Sequence, residues 1–503
     1  MDYNLTFKSG NDNYYLYNYE NNTMYNIHPL FAYLVESKYS KKDKEIFIDN
    51  LSNDLILSKF TRKERDEYFS RYIFFKDNKL LDEFQPKAFY SQRLSKKTIV
   101  ENMHKLSEIV FEVTEECNLN CYYCSWGVNY KQENMRNRKK MPIEFAYKII
   151  KYFAELWNSC ENLRYNKEMS IGFYGGEPLL NIEFIEKVIN FCKTLEFKQN
   201  TIRFTMTTNG ILLDKHIEYL VENDVVIYIS LDGNVANNSY RVDHSDRNTF
   251  NKVFYNVKLL QEKYPKYFFE RVFFLSVLHN KNSIDDIYVF FKKEFKKLPI
   301  VSSVSPNNID KLNEEKFNKV FKNVYDEFLN SKCYMKVDNE FNNMSLKNNY
   351  LKTFFKKHGF SLELNDIASF IQKQILRNHY SMVPSGTCVP FVTKRIFITT
   401  KGKLLLCERV AQNHIIGEVN EEGVKLFTDQ WVSKYNKIYD MLVNNFCLMC
   451  YRIFDCPNCF LVTSEVANTC KHFLSKKEFE NHFSENVTEV ESMNKSISNK
   501  LFK

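Results

Sequence analysis

From about residue 105 to 305 the sequence alternates short apolar runs with amphipathic stretches, and this alternation limits the possible folds more than any other feature. The apolar runs are 109–113, 169–174, 201–206, 225–231, 271–278 and 300–305. Between the first two, Phe145, Ile149, Phe153 and Trp157 recur every four residues along one helical face. Residues 182–196, 213–223, 246–264 and 283–295 read as helices on the same ground. Six βα units predict a parallel sheet, and a partial TIM-like (β/α)6 barrel is its natural closure. Ligands gather at the C-terminal strand ends of such barrels. Four motifs stand at those ends: Cys117–Cys124 after strand one, Gly175-Gly176-Glu177-Pro178 after strand two, Thr207-Thr208-Asn209-Gly210 after strand three, and Asp232-Gly233 after strand four. Glycine is scarce, 12 in 503 residues. Gly175, Gly176, Gly210, Gly233 and Gly402 all lie in motifs, where a backbone needs positive φ or close approach.

The first motif runs Cys117-Asn118-Leu119-Asn120-Cys121-Tyr122-Tyr123-Cys124, a Cys-x3-Cys-x2-Cys spacing. Three thiolates on one short loop suit three corners of a [4Fe-4S] cube, leaving the fourth iron open to a small molecule. The N-terminus, Met1-Asp2-Tyr3-Asn4, lacks the basic and apolar regions of an export signal. Thirteen cysteines in such a chain argue for metal rather than disulfides. Seven lie between 388 and 470, while Cys160, Cys192 and Cys333 read as packing residues. In the later group thirteen residues separate Cys388 from Gly402, and four separate Gly402 from Cys407. Arg395 to Thr399 and Lys403 to Leu406 read as two strands closed by Thr400-Lys401-Gly402. Then come Cys447-x2-Cys450-x5-Cys456-x2-Cys459 and Cys470. Paired Cys-x2-Cys steps also suit tetrahedral zinc. Taken alone, 447–459 leaves zinc and iron level; seven thiols with an upstream triad favour iron–sulfur.

Residues 1–100 read as a separate unit. Tyr14 to Tyr19 and Met24 to Ile27 form a β-hairpin around 20–23, and His28-Pro29-Leu30 opens a helix. This predicts a small α+β, winged-helix-like domain. The barrel spans 105–305, a helical bridge 306–385, a cysteine-rich domain 386–475 and a polar tail 476–503. A net charge of +8 is mild at this length, and the Lys pairs at 41–42, 96–97, 139–140 and 476–477 read as solvated surface. No nucleic-acid partner is expected. No apolar run reaches the roughly 18–20 residues of a membrane span, so the chain is expected to be soluble and cytoplasmic.

The triad together with the rim motifs resembles the radical S-adenosylmethionine (SAM) enzymes over about 110–240. Residues 386–472 resemble their SPASM extension, Cys-x(9–15)-Gly-x4-Cys, then Cys-x2-Cys-x5-Cys-x3-Cys, then Cys. One departure is the x2 step between Cys456 and Cys459. The resemblance implies that Cys117, Cys121 and Cys124 hold a [4Fe-4S] cluster whose open iron binds SAM, and that an electron splits SAM to a 5′-deoxyadenosyl radical. It further implies two auxiliary [4Fe-4S] clusters, one on Cys447, Cys450, Cys456 and Cys470, the other on Cys388, Cys407 and Cys459. Tyr123 sits where the family's aromatic residue lies beside adenine. Gly175, Gly176, Glu177 and Pro178 match the motif whose backbone receives the SAM amino group. Asn209, Gly210 and Ser230 lie where the family contacts the ribose and methionine parts, and Arg241 is placed to pair with the SAM carboxylate. The family's Gly-x-Ile-x-Gly pattern is absent from Arg271 to His279. The ten histidines show no ligand spacing and are taken as structural.

SPASM enzymes act mostly on polypeptides. Thr387-Cys388-Val389-Pro390-Phe391 and Cys407-Glu408-Arg409 look like the maturases of ribosomally made peptides (RiPPs). That resemblance implies hydrogen abstraction from a precursor peptide, leaving a thioether or C–C crosslink or a related modification. It also implies a leader peptide bound by the N-terminal unit, and an electron donor such as flavodoxin or ferredoxin. The runner-up is an anaerobic sulfatase maturase, which carries Asp as its base where this chain has Glu408. Glu408 is the acid/base candidate. A non-catalytic iron–sulfur or zinc scaffold that binds peptides is the remaining alternative; it leaves the SAM-type motifs unexplained.

Overall fold

The computed structural model describes residues 4–18, 23–49, 56–78, 80–81, 93–127, 130, 138–159, 168–198, 200–305, 309–322, 324, 327, 331, 395–451, 456, 459–463, 470 and 473–496. They fall into two compact units, one holding the residues up to Arg93 together with those from Ile438 onward, the other those from Leu94 to Lys437. The N-terminal hundred residues are therefore not a domain by themselves. Cys388, Cys160, Cys333 and most of the expected helical bridge lie outside the described residues.

In the first unit β1 (Asn4–Lys8), β2 (Tyr14–Asn18) and β3 (Thr23–Ile27) form an antiparallel sheet in that order. The sequence announces β2 and β3 as a hairpin; β1 adds an edge with Leu5 opposite Tyr17. The next helix, Pro29–Ser37, starts as its Pro predicts, and the His28 imidazole accepts a hydrogen bond from the Leu30 amide. Helices Lys44–Asp49 and Arg62–Asp77 follow. Leu30, Leu34, Phe47, Phe69 and Tyr72 from these three helices close one apolar core. Each such buried side chain contributes about 1.5–3 kcal/mol relative to exposure.

The expected polar tail is a helix, Lys476–Ser496. Phe479, Phe483 and Val487, spaced four apart among polar residues, are fully buried. The Phe483 ring lies 5.9 Å from Phe7 and 5.0 Å from Tyr17. One turn on, Glu491 accepts hydrogen bonds from Ser9 Oγ, Asn11 Nδ2 and Asn13 Nδ2, each at 2.8 Å, and from the Tyr15 hydroxyl at 2.5 Å.

The second unit contains all six expected strands: β4 (Glu108–Thr114), β5 (Glu168–Gly175), β6 (Thr201–Thr208), β7 (Val226–Ser230), β8 (Val272–Leu278) and β9 (Ile300–Ser303). They are parallel neighbours in sequence order. Helices Ile143–Asn158, Ile182–Thr194, Leu213–Glu222, Phe250–Lys263 and Ile284–Phe295 intervene. The fourth helix begins four residues later than its pattern proposes. Asp243 accepts from the amides of Ser245 and Arg247, which holds 243–247 in a turn.

Beyond β4 the sheet continues with β10 (Arg395–Ile398), parallel to β4, and then antiparallel β11 (Lys403–Leu405), β12 (Gly417–Asn420) and β13 (Gly423–Leu426). The hairpin read from the second cysteine region is thus part of the barrel's own sheet rather than of a separate domain. Phe111 packs its ring on Phe184 of the Ile182–Thr194 helix. Odd positions of β4 therefore face the helices, and Glu108, Val110 and Glu112 face the inside of the curve. Among the described residues no helix is long and apolar enough to cross a membrane.

Candidate active site

The cysteine loop leaves the C-terminal end of β4, where the barrel rule places it. Its backbone is held from the side by the segment after β7: the Asn120 amide donates to the Val242 carbonyl at 2.8 Å and the Tyr122 amide to the Tyr240 carbonyl at 3.0 Å. His244 Nε2 donates to the Cys117 carbonyl at 2.9 Å. Within the loop the Cys124 amide donates to the Cys121 carbonyl at 3.1 Å, closing a tight turn. Burial raises the Cys121 thiol to about 12, against the lowering pull of Arg241; Cys124 and Cys117, close by, raise it further. Three thiolates crowded together repel one another, and cations shared between them remove that cost. Among the described residues no three His, Cys, Asp or Glu side chains are gathered for one metal ion. A cubane spreads its thiolates over different irons, so its ligands stand wider apart than those of a single ion.

The second rim motif braces this loop. Gly176 donates its amide to the Thr114 carbonyl and Glu177 to the Glu116 carbonyl, both at 2.8 Å. A Cβ on Gly176 would meet the Glu116 carbonyl oxygen at 1.9 Å, so glycine is required by the closeness of the two backbones. The Glu177 side chain is fully buried. It caps the turn Pro178–Asn181 through the Leu179 amide at 3.2 Å, and takes the Thr208 hydroxyl and the Asn209 amide at 2.7 Å each. Burial wins over these three donors and lifts its carboxyl to about 7. Asn209 in turn donates Nδ2 to Asn118 Oδ1 at 2.7 Å, with the Cys117 sulfur 3.8 Å away. Motifs two and three are thereby tied to motif one. Ser230, half-buried, ends β7.

The fourth motif organises a buried polar group. Asp232 is fully buried; its Oδ1 lies 3.2 Å from Arg241 Nη2 and accepts from the Val277 amide at 2.9 Å. The Tyr123 hydroxyl donates to its other oxygen, and His279 Nε2 stands 3.8 Å from it. Burial acts to raise the Asp232 carboxyl, but the Arg241 guanidinium and His279 hold it below its ordinary value. The Arg241 guanidinium sits 5.5 Å over the Tyr123 ring, while its buried Nε has no hydrogen-bond partner among the described residues. Tyr123 also packs on Val304, Phe317 and Val320. Its neighbour Tyr122 is exposed and stacks on Tyr240 at 5.0 Å. Sequence reasoning passed over His279 and His244. The available signal was position, since His279 is the first residue after β8, on the same rim.

In the first unit the later cysteines converge. Burial raises the Cys447 thiol, and Cys456, Cys450 and Cys470 add to the rise from nearby. These are the four residues that the family resemblance groups on one auxiliary cluster. The Leu474 amide donates to the Cys450 sulfur at 3.5 Å. Cys459 directly precedes the short helix Phe460–Thr463, and Cys407 follows β11 in the second unit. Cys192 is buried in the Ile182–Thr194 helix, as a packing residue should be.

Glu408 lies at the opposite end of β4 from the triad. Its carboxylate is 3.2 Å from Arg395 Nη1, and Arg395 Nε is 2.9 Å from Glu108, the first residue of β4. Seven residues of strand, about 20 Å, separate that end from the cysteine loop. The structure does not bring Glu408 to the triad's rim. It sets Glu408 beside Arg395 at the barrel's N-terminal mouth, where Arg395 and Glu108 in turn lie near Tyr228.

Residues 111–293 match the radical SAM superfamily. The chain is 29% identical over 213 residues to the cysteine-type anaerobic sulfatase-maturating enzyme of Clostridium novyi (strain NT), covering 41% of this chain and 53% of the relative. With the corresponding enzyme of Clostridium perfringens (strain 13 / Type A) it shares 28% over 243 residues, 45% and 62% of the two chains. With the radical SAM cyclopropyl synthase TigE of Paramaledivibacter caminithermalis it shares 31% over 151 residues, 29% and 31%. The chain thus spans about half to three-fifths of the sulfatase-maturating relatives, 53% and 62%. Among solved structures, native anSMEcpe with bound AdoMet matches with a TM-score of 0.51 at 18% identity, covering 79% of this chain and 100% of that one. The form of anSMEcpe with AdoMet and the Cp18Cys peptide gives 0.51 at 20% identity, 78% and 99%. At such identities the likeness is one of fold, a TIM-like α/β barrel. The chain carries a radical SAM domain, and such a domain implies a [4Fe-4S] cluster and SAM.

Proposed function

We propose that the chain is a radical SAM peptide maturase acting on a ribosomally made precursor peptide. The observation that carries the reading is the Cys-x3-Cys-x2-Cys loop at the C-terminal end of β4, braced by backbone hydrogen bonds to Val242 and Tyr240 and by the neighbouring Gly176–Glu177 segment. When bound to the cluster, SAM supplies a 5′-deoxyadenosyl radical for hydrogen abstraction. Cys117, Cys121 and Cys124 hold that cluster. Tyr123, the Gly175–Pro178 segment, Asn209, Ser230 and Arg241 receive SAM, and the buried cage around Asp232 keeps Arg241 oriented. Cys447, Cys450, Cys456 and Cys470 hold one auxiliary cluster; Cys388, Cys407 and Cys459 serve a second. The peptide reading is supported by the relatives, which are named for sulfatase maturation and cyclopropane synthesis. It is also supported by the outer edge of β3, which has no strand neighbour among the described residues and offers backbone groups to an added leader strand. A flavodoxin or ferredoxin is the proposed electron source.

Sulfatase maturation is the second reading, favoured by the two Clostridium relatives, although this chain has Glu408 where that branch carries Asp. The first experiment supplies anaerobically reconstituted protein with dithionite and SAM and measures 5′-deoxyadenosine. Wild type should release it and Cys121→Ala should not; equal yields would sink the radical SAM claim. Co-expression with a short neighbouring peptide or with a Cys-type sulfatase, followed by mass spectrometry, separates the two substrates. A mass change on the sulfatase alone overturns the peptide reading.

A further inference from the structure

A filled parallel barrel hides its inner side chains in packed layers; this one leaves them part-exposed. On β8 Val272, Phe274, Ser276 and Leu278 are buried, whereas Leu275 and Val277 are half-buried and Phe273 is 40% exposed. The Phe274 ring lies 4.8 Å from Phe291 and from Phe295 of the Ile284–Phe295 helix. The buried set therefore faces the helices, and Phe273, Leu275 and Val277 face the inside of the curve. Strand register carries that inner face to both neighbours. Tyr228 lies opposite Phe273 and Ser230 opposite Leu275, and Ile300 lies on the other side of Leu275. Tyr228 and Ser230 are half-buried, and Ile300 is 56% exposed.

The Tyr228 and Phe273 rings stack at 5.5 Å near the N-terminal ends of their strands. The charges of Glu108, Arg395 and Arg203 all act on Tyr228, so β4, β6 and β10 present them to the same space. One wall of this mouth is thus aromatic and aliphatic, the other ionic. The ionic wall is internally matched: Arg395 is shared by Glu108 and Glu408, and Arg203 pairs with Glu168. Lys297, whose Nζ is 5.2 Å from the Phe273 ring, donates to the Val272 and Phe269 carbonyls. A phosphate or a charged side chain would find no free counter-charge here. Contiguous exposed apolar side chains rimmed by polar groups mark a binding site, and this one fits an uncharged, apolar group. Two residues of strand, about 7 Å, separate Tyr228 from Ser230, where the resemblance places SAM. We propose that Tyr228, Phe273 and Ile300 form a pocket for an apolar side chain of the substrate peptide, within a residue or two of the one that loses hydrogen. The proposal rests on the peptide reading above.

The test uses cluster-loaded, SAM-bound protein without reductant and three probes: acetyl-Gly-Leu-Gly-amide, acetyl-Gly-Gly-Gly-amide and acetyl-Gly-Glu-Gly-amide. Their affinities are read by anaerobic saturation-transfer NMR. The Leu probe should bind roughly tenfold tighter than the other two. Phe273→Ala should reduce that preference to within twofold, whereas Phe273→Leu keeps an apolar wall and should retain most of it. Iron content and thermal midpoint report whether each variant folds, and Ile300→Ser serves if Phe273→Ala does not. Equal affinities for the three probes in wild type overturn the proposal. So does a preference that survives both Phe273→Ala and Ile300→Ser. A protein that modifies a co-expressed peptide yet shows no preference among the probes overturns the pocket alone. One that shows the preference but modifies no peptide overturns the maturase reading, and the substrate role of the pocket with it.

Discussion

Thr400, at the tip of the β10–β11 hairpin, donates its backbone amide at 3.1 Å to the buried carboxylate of Glu112, inside β4. Its hydroxyl adds a 2.8 Å bond to Glu115, two residues before Cys117. A hairpin nearly three hundred residues downstream in the sequence thus fixes the strand from which the triad loop springs. Thr400→Val keeps the shape and the amide but strips one acceptor bond from a buried carboxylate. A loss of about 1–3 kcal/mol is expected, seen as a lower urea midpoint with an unchanged slope. No change in midpoint would show that the hydroxyl bond is immaterial.

Gly176→Ala tests the contact between motif two and the loop. The added Cβ would overlap the Glu116 carbonyl, and backbone must move to relieve it. The expected result is a displaced loop: fewer irons per chain after reconstitution and SAM cleavage reduced at least tenfold, while far-UV circular dichroism changes little. Normal iron content would refute the brace.

The raised carboxyl of Glu177 makes a pH prediction. Its folded value of about 7 lies above the ordinary 4.5, so the folded state holds its proton more tightly than the unfolded chain. The associated stability is present below pH 4.5 and is lost as pH rises to about 7, a span worth about 3 kcal/mol. Glu177→Gln should flatten this slope. It should also cost stability at low pH, because the Asn209 amide would then face an NH2 group or lose its acceptor. Urea midpoints between pH 4.5 and 7.5 decide it; parallel curves for the two proteins would reject the assignment.

Glu408→Gln retains a hydrogen bond to Arg395 but not a base. If Glu408 takes a substrate proton at the barrel's N-terminal mouth, product formation should fall about 10²–10⁴-fold, while uncoupled release of 5′-deoxyadenosine stays near wild type. Conversion at the wild-type rate removes Glu408 from the chemistry and leaves it a structural partner of Arg395.

The barrel was readable because near-continuous apolar runs alternated with helices of period 3.6, and four of the runs ended in motifs of rare residue types. Ile149, Phe153 and Trp157 declare one face without help from tertiary structure. β12 and β13, four residues each, carry too few positions for a period to show. In the helix Lys476–Ser496, Phe479, Phe483 and Val487 are diluted by charged and amide residues, so the segment reads as polar although its one apolar stripe is fully buried. At the site, cysteine and glycine spacings were visible in the chain itself. The partnership of Asp232 with the Val277 amide and His279 was not, since it arises only when β7 and β8 lie side by side. Glu408 illustrates the same limit: its residue type suited an acid/base role, but which end of the barrel it occupies depends on the register of β10 against β4.

Glu491 collects four side chains from the loop and strand at Ser9–Tyr15, some 480 residues earlier in the chain. During synthesis that loop emerges early and its partner late. The Ser9–Tyr15 segment, made before the barrel, therefore belongs to a unit completed only after the barrel, against the usual order in which domains fold as they appear. The barrel strands and the Cys117–Cys124 loop emerge in between, so the proposed cluster site is translated while the proposed peptide-binding sheet still lacks its final helix.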